Sequence, residues 1–553
     1  MFPPGTADEV MAGRLTISPF PTVTIDAKRD GDVDWSLNPY HHPSWTLHYR
    51  SAEWVETVVN RYLAGGPGAA AYRDRAKALL RDWLRDVPVQ DRNPSTLVCS
   101  VAAFPGQSWI ENQIPGQVDQ YARHWIGAWN HGLMQDLTLL RIGCAYPAQA
   151  WGGRPLRWRA LARRQMIAAF APNRLGPAVD AQGVPNEQST GYANFVYHLW
   201  TVAERELSAC GYAVPAEMSD RVARMPMFVA QATHPDGNVV QIGDTYAAPP
   251  ARVPGTPVEY AASMGAAGSP PAQRVAVYAA GYVFGRSGWG ITRPLRSESF
   301  YSLRFGRGRQ VHGHNDHMSV TYYARGRNLI VDSGHVGYEA TPYRDFLRSP
   351  SANNVLVMPG VPFSATAGTT LIRRAIGPSG QFFEFTDTAF GGHPRDRSIY
   401  ISQRPDLMVV LDRAGGAPLY QQLWHLDPGL TVTKVQPSYA VAAAPGTRLW
   451  IRQVALPGQV IPPGSTRVIR GQANPDQGWV SRQPLQRIPA SVISMTRAGP
   501  SAAILTVIVP TSAAAAVTTM ITSRTDGRYR LEVRIGGSTV LLRVSPGGYI
   551  ERG

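Results

Sequence analysis

The stretch Val311-His312-Gly313-His314-Asn315-Asp316-His317-Met318-Ser319-Val320, followed by Leu329-Ile330-Val331-Asp332-Ser333-Gly334, gathers three histidines and two aspartates into one short segment. Both flanks read as strands, because Val320-Thr321-Tyr322-Tyr323 and Leu329-Ile330-Val331 are β-branched, aromatic or apolar, with Ala324-Arg325-Gly326-Arg327-Asn328 as the turn between them. If the first strand starts near Val311, its period of two places His312, His314 and Asp316 on one face, and the hairpin returns Asp332 towards them. Imidazole and carboxylate converging on one sheet face suit a zinc ion, and equally suit a proton-transfer site. The plainer alternative is a polar strand edge whose histidines each satisfy a local hydrogen bond. Burying so many titratable groups is costly, however, unless they are paired or metal-bound.

Around this hairpin the texture is that of a β domain. Alternation of period two recurs in Phe300-Tyr301-Ser302-Leu303-Arg304-Phe305, in Leu407-Met408-Val409-Val410-Leu411, and in a last hairpin from Tyr529–Ile535 to Val540–Val544 across Gly536-Gly537. Upstream, from Trp45 to about Thr245, apolar residues repeat at helical spacing instead. Helices are expected near 51–63, 70–85, 117–129, 131–145, 155–170, 188–209 and 216–232, separated by loops such as Ala64-Gly65-Gly66-Pro67-Gly68. A helical half followed by a β half argues segregated layers, not an alternating α/β fold. The expected organisation is an extended segment over 1–44, a helical domain over 45–246, a Pro/Ala/Gly-rich linker over 247–280 and an antiparallel domain of stacked sheets over 281–553.

A chain of 553 residues exceeds one ordinary core, and 44% hydrophobic with 17% charged residues describes a globular protein. The formal charge of +15 is carried almost wholly by arginine, since Lys28, Lys77 and Lys434 are the only lysines. Such a balance favours an anionic partner. Without zinc-finger spacing, an RNA-binding aromatic signature or a dense basic helix, an acidic polymer is preferred and nucleic acid is not expected. No apolar run is long enough to span a bilayer. Cys99, Cys144 and Cys210 lack metal-ligand spacing and read as small buried hydrophobes allowing at most one disulfide. The start, Met1-Phe2-Pro3-Pro4-Gly5, does not resemble a secretory signal, which leaves a cytoplasmic location or a signal missing from this sequence.

Two motifs in the helical half carry chemistry. Trp129-Asn130-His131-Gly132-Leu133 puts a polar pair at a loop-to-helix junction, and Asn186-Glu187-Gln188-Ser189-Thr190-Gly191-Tyr192 opens a helix with Tyr192 one turn in from Ser189. Each alone reads more readily as a helix cap with a packed tyrosine. Together with the HGHNDH hairpin they resemble the heparinase II/III family and related alginate lyases. Further landmarks are Trp45/Trp54, His234-Pro235-Asp236-Gly237 with Gly243-Asp244, Ala352-Asn353-Asn354-Val355, and His393 before Asp412-Arg413. One departure is the Ala352-Asn353-Asn354-Val355 loop, where members of that family often have histidine before asparagine.

The resemblance implies an α+β multidomain protein, an incomplete (α/α) toroid followed by a C-terminal antiparallel β-sandwich domain. It also implies β-elimination at a uronic acid of an acidic polysaccharide or oligosaccharide, in a cleft between the two domains, with an unsaturated uronate as product. Such a site must neutralise the uronate carboxylate, remove the C5 proton and protonate the departing O4. By resemblance, Asn130 and His131 face the carboxylate, with His131 a possible base, Tyr192 shuttles the proton and His312 approaches from the β domain. Glu187, Gln188, Tyr343 and Arg344 fall where substrate is contacted. His314, Asp332 and His393 match positions that hold a structural zinc, with His317 a spare ligand. A periplasmic or secreted location is expected, with a cytoplasmic one as the alternative, and nothing in the sequence fixes the oligomeric state. Hydrolysis on the same scaffold, or silent carbohydrate binding, are the alternatives.

Overall fold

The computed structural model describes residues 5–89, 92 and 94–553, so that Met1-Phe2-Pro3-Pro4 and the side chain of Cys99 lie outside the described set. The chain divides into two compact units. One comprises Met1–Ala178, His198–Val222 and Gly337–Ala340, and the other Val179–Tyr197, Ala223–Val336 and Thr341–Gly553.

The first unit is helical, as its 3.6-residue apolar repeat requires. Its helices include Val55–Leu63, Ala69–Asp86, Ile114–Arg123, Asn130–Ala145 and Ala150–Ala168. The expected helix at 117–129 stops at Arg123, and the following loop returns to the Asn130 helix. Its core is aromatic: Trp45 stacks on Tyr49 at 4.6 Å between centroids, Tyr49 on Trp54 at 6.2 Å and Trp54 on Trp35 at 5.7 Å. Buried Asp82 accepts hydrogen bonds from the Val33 amide and the Trp35 indole, tying the leading segment to the Ala69–Asp86 helix. Cys144, in the Asn130–Ala145 helix, forms a disulfide with Cys210, which lies 66 residues on and just past the end of the helix Thr190–Ala209.

Asp136, on the buried face of the Asn130–Ala145 helix, has a carboxylate oxygen without a hydrogen-bond partner. Burial pushes its carboxyl up to about 8, with the Trp125 indole as the opposing influence. Because the folded value lies above the unfolded one, its contribution to stability is full below about 4 and is lost as pH rises through about 8. Asp136→Asn should therefore flatten the fall in melting temperature between pH 4 and pH 8, which thermal unfolding across that window checks. A pH profile identical to that of the unaltered chain would remove Asp136 as the cause.

The second unit is built on antiparallel sheets. A five-stranded sheet runs Val275–Tyr278, Tyr282–Arg286, Phe300–Arg304, Val320–Ala324 and Arg327–Ile330 in sequence order. An eight-stranded sheet packs across it: Val283, Leu303, Val320 and Tyr322 from the first meet Phe383, Ile399, Met408 and Val410 from the second. Successive residues of a strand point to opposite faces, so Val409 and Leu411 serve another core. There they meet Leu531, Val533, Val540 and Leu542 of the C-terminal four-stranded sheet. On the far face of the five-stranded sheet, Phe284, Phe300 and Tyr323 pack on Phe228 and Tyr260.

Two expectations are corrected here. Residues 247–280 are no plain linker, since Pro257–Ala262 is a helix with Val258, Tyr260 and Ala261 buried, and Val275–Tyr278 is the edge strand. The abundance of alanine and glycine hid that periodicity. The strand placed near Val311 begins instead at Val320, because Val311 and Met318 take positive φ (39° and 67°) and fold residues 311–319 into turns. The hairpin itself, Val320–Ala324 with Arg327–Ile330 across Arg325-Gly326, stands where the sequence put it.

Candidate active site and metal centre

Three segments of the second unit meet by their backbones. The Ile242 carbonyl accepts from Thr190, the Glu187 carbonyl accepts from His312, and the His312 carbonyl accepts from Asp244 at 2.8 Å. Gly243 lies at the crossing with φ 64°, where a Cβ would stand 2.5 Å from the Gln188 carbonyl oxygen and 2.6 Å from that of His312. Only glycine allows this approach. Ser189 caps the helix Thr190–Ala209: its hydroxyl accepts from the Tyr192 amide at 3.3 Å and donates to the Asp244 carbonyl at 2.9 Å. The cap thus places Tyr192 and Asp244 together.

Asp244 is the hub. Its Oδ2 lies 3.1 Å from His312 Nδ1, while Oδ1 lies 3.1 Å from both His314 Nε2 and His335 Nδ1. Burial would raise this carboxyl, but its three histidine partners hold it well below the usual carboxylate range. Burial likewise opposes charge on His314, and the hydrogen bond to Asp244 with the charges of Asp244, Asp332 and Asp316 outweighs it and raises the imidazole. For His335 burial wins and the ring is lowered. The second nitrogen of His312 faces Glu187, a fully buried residue, at 3.5 Å. With a carboxylate at each nitrogen, the His312 ring presents its face to Tyr192: the two rings stack at 3.6 Å between centroids, 10° from parallel.

The remaining expected residues fall as follows. Gln188 is buried, its amide donating to the carbonyls of Arg307 and Gly308 and accepting from the Gln310 amide, so it braces the histidine loop. Asp316 leaves the histidines and pairs with buried Arg304 at 3.1 Å. His317 meets the Arg307 carbonyl and is lowered by burial and by Arg304, the environment of a packed histidine. Tyr343 is buried, its hydroxyl 2.9 Å from that of Ser481, and Arg344 is half-buried on the same helical turn. Asn354, in the loop that departs from the family pattern, donates to the Val320 and Val331 carbonyls and accepts from the His425 amide, stitching the hairpin to the next sheet. Asn130 and His131 belong to the first unit. Asn130 is buried at the helix start, and His131 is exposed and stacked on Trp129 at 4.6 Å. Gly132 lets the 125–129 loop close on that helix, since a Cβ there would overlap the Gly127 carbonyl.

Of the expected zinc set, His314 alone falls in the group of candidate metal ligands found among the described residues. His393 begins its strand beside the Gly391-Gly392 turn, its ring against Gly391 and Gly416, and it is not in the group gathered around His314. Asp332 is near enough to His314 for each to feel the other's charge, but its Oδ1 accepts the Gly334 amide and burial pushes its carboxyl up to about 7. The described group around His314 that could hold a metal is Asp244, His314 and His335, all buried, their ligand atoms within 4.8 Å of one another. Zinc bonds of about 2.0–2.1 Å in a tetrahedron set ligand atoms about 3.3 Å apart. The 3.1 Å separations of the Asp244 oxygen from both imidazoles match that spacing. Buried His314 Nδ1 has no hydrogen-bond partner, so Nε2 is the nitrogen this centre uses. Two nitrogens and one oxygen therefore fit zinc. Sequence reasoning had Asp244 only as a landmark and missed His335 altogether; its position two residues beyond Ser333, in the loop that follows the second hairpin strand, was the available signal.

Residues 284–516 match the family described as Heparinase II/III-like, C-terminal. Among solved structures, heparinase III superimposes with a TM-score of 0.78 at 14% identity, covering 95% of this chain and 86% of that one. A heparan sulfate lyase HepC mutant from Pedobacter heparinus gives 0.70 at 17% identity, covering 97% of this chain and 88% of that one. Comparison with curated protein sequences gives no significant match. At these identities the likeness establishes the fold: a helical N-terminal region followed by a multi-sheet antiparallel β region.

Proposed function

Given a heparinase II/III-like C-terminal region over residues 284–516, we propose that this protein is a polysaccharide lyase that cleaves an acidic, uronate-containing polysaccharide or oligosaccharide by β-elimination. The observation that carries this reading is the Tyr192–His312 stack, held from behind by Glu187 and Asp244. A half-buried phenol beside an imidazole whose nitrogens are both engaged makes Tyr192 the group that moves protons and His312 the group that positions and polarises it. Tyr192 takes the C5 proton or delivers one to the departing O4. Asn130 and His131 are assigned to the uronate carboxylate through their match to the family motif. Asp244, His314 and His335 would hold a zinc ion, which when bound supplies a fixed charge that pins the loop carrying His312. None of the proton transfers passes through it.

A periplasmic or secreted location is part of the proposal, supported by the Cys144–Cys210 disulfide, since such bonds persist in oxidising compartments. Incubation with a panel of uronate polymers tests the reading. Rising ultraviolet absorbance from an unsaturated uronate is expected with at least one of them. New reducing ends without that chromophore would mean hydrolysis, and binding without either product would mean a silent carbohydrate-binding protein.

A further inference from the structure

Several buried arginines in this chain sit against carboxylates of their own, whereas buried Arg286 is met by the Gln231 and Thr233 carbonyls and lies over the Trp289 ring. Arg304 pairs with Asp316, Arg395 with Asp387 and Arg397 with Asp412, each at 2.6–3.1 Å. Arg309 and Arg348 have neither kind of partner: both are half-buried, and neither guanidinium has a hydrogen-bond or ion-pair partner among the described residues. Both belong to the site. Arg309 lies on the 307–315 loop that carries His312, its amide on the Ala365 carbonyl and its neighbours braced by Gln188. Arg348 caps the helix Pro342–Leu347 and its carbonyl accepts from Asn315 of the histidine loop at 3.0 Å. Its own amide bonds the Arg344 carbonyl, which sets Arg344 and Arg348 one turn apart on one helical face. The three cations feel one another: burial lowers Arg348, and the charges of Arg309 and Arg344 lower it further. Asp244 and Asp345 act in the opposite sense, but the Asp244 carboxylate is already shared by three histidines and Asp345 is exposed to solvent. The side-chain amide oxygen of Asn315, whose backbone amide bonds Arg348, is buried and has no hydrogen-bond partner, which leaves an acceptor for a hydroxyl.

Half-buried like charges repel and lose hydration, an arrangement that is unfavourable until an anion enters. We propose that Arg309, Arg344 and Arg348 form a second anion subsite, which takes an acidic substituent, carboxylate or sulfate, on the sugar adjoining the one that reacts. This rests on the reading of the site as an acidic-polysaccharide lyase and narrows its substrate class to polymers with negative charge on consecutive sugars. Guanidinium forks suit either oxyanion because both present paired acceptor oxygens.

The test measures binding and not turnover, in a Tyr192→Phe background that holds the substrate intact. Three tetrasaccharide probes are titrated calorimetrically at low salt: an oligouronate charged on every sugar, an alternating uronate–hexosamine with sulfate on the hexosamine, and the same alternating chain without sulfate. Arg348→Gln and Arg309→Gln should each weaken at least one of the first two about 10-fold or more, and the third less than 2-fold. Which of the first two responds tells carboxylate from sulfate. Arg348→Lys should keep part of the affinity and of its salt dependence, and unchanged melting temperatures exclude misfolding as the cause. Equal weakening of all three probes, no weakening, or no binding of any probe by the parent would overturn the subsite. Failure of the lyase reading shows separately, as the absence of unsaturated product from the unaltered protein.

Discussion

Tyr192→Phe should turn over substrate about 10²-fold or more slowly than the unaltered protein while melting at nearly the same temperature. The phenylalanine ring keeps the stack on His312 at 3.6 Å and the edge contact with Phe195 at 6.1 Å, so packing is conserved. The helix cap is untouched as well, because Ser189 bonds the backbone amide of residue 192 and not its side chain. Only the hydroxyl is lost, and with it the proton carrier of the proposed elimination. Initial rates of unsaturated-uronate formation beside thermal unfolding curves check this. A variant running at near the parental rate would transfer the proton-carrying role to another group, with His131 the next to examine.

The fold was largely legible because each half obeys one period. Met408, Val409, Val410 and Leu411 alternate between two cores, and a strand buried on both faces has little alternative at that composition. The hairpin at 320–330 was equally plain, its strands rich in β-branched and aromatic residues around Arg325-Gly326. Glycine and alanine, which carry little pattern, concealed the helix at 257–262. The histidine run failed as a strand for a different reason. Its geometry comes from long-range backbone bonds to residues 187 and 244, which nothing local to 311–319 encodes. Hence His312 and His314 were found, whereas the carboxylate that unites them, Asp244, lies some seventy residues upstream. His393 shows the converse: a histidine in the expected order along the chain that packs beside a hairpin turn, against Gly391 and Gly416.

That difference between sequence order and spatial neighbours yields a second large effect. If Asp244, His314 and His335 hold a zinc ion, the purified protein should carry about one per chain, and His335→Ala should release it. His393→Ala should not, its ring being packed on Gly391 and Gly416. A metal bound at about 100 times its dissociation constant stabilises the folded state by about 2.7 kcal/mol. At about 2–4 °C per kcal/mol for a domain of moderate size, strong chelator should lower the melting temperature by about 5 °C or more. The loss should reach activity too, because Asp244 holds His312 with its other oxygen: when the centre loosens, the ring behind Tyr192 loses its anchor. Elemental analysis with melting curves, with and without chelator, reads each step. Release of metal by His393→Ala as complete as by His335→Ala would restore the ligand set expected from the sequence. A metal-free protein indifferent to chelator would leave Asp244 as a carboxylate bound by three histidines through hydrogen bonds alone.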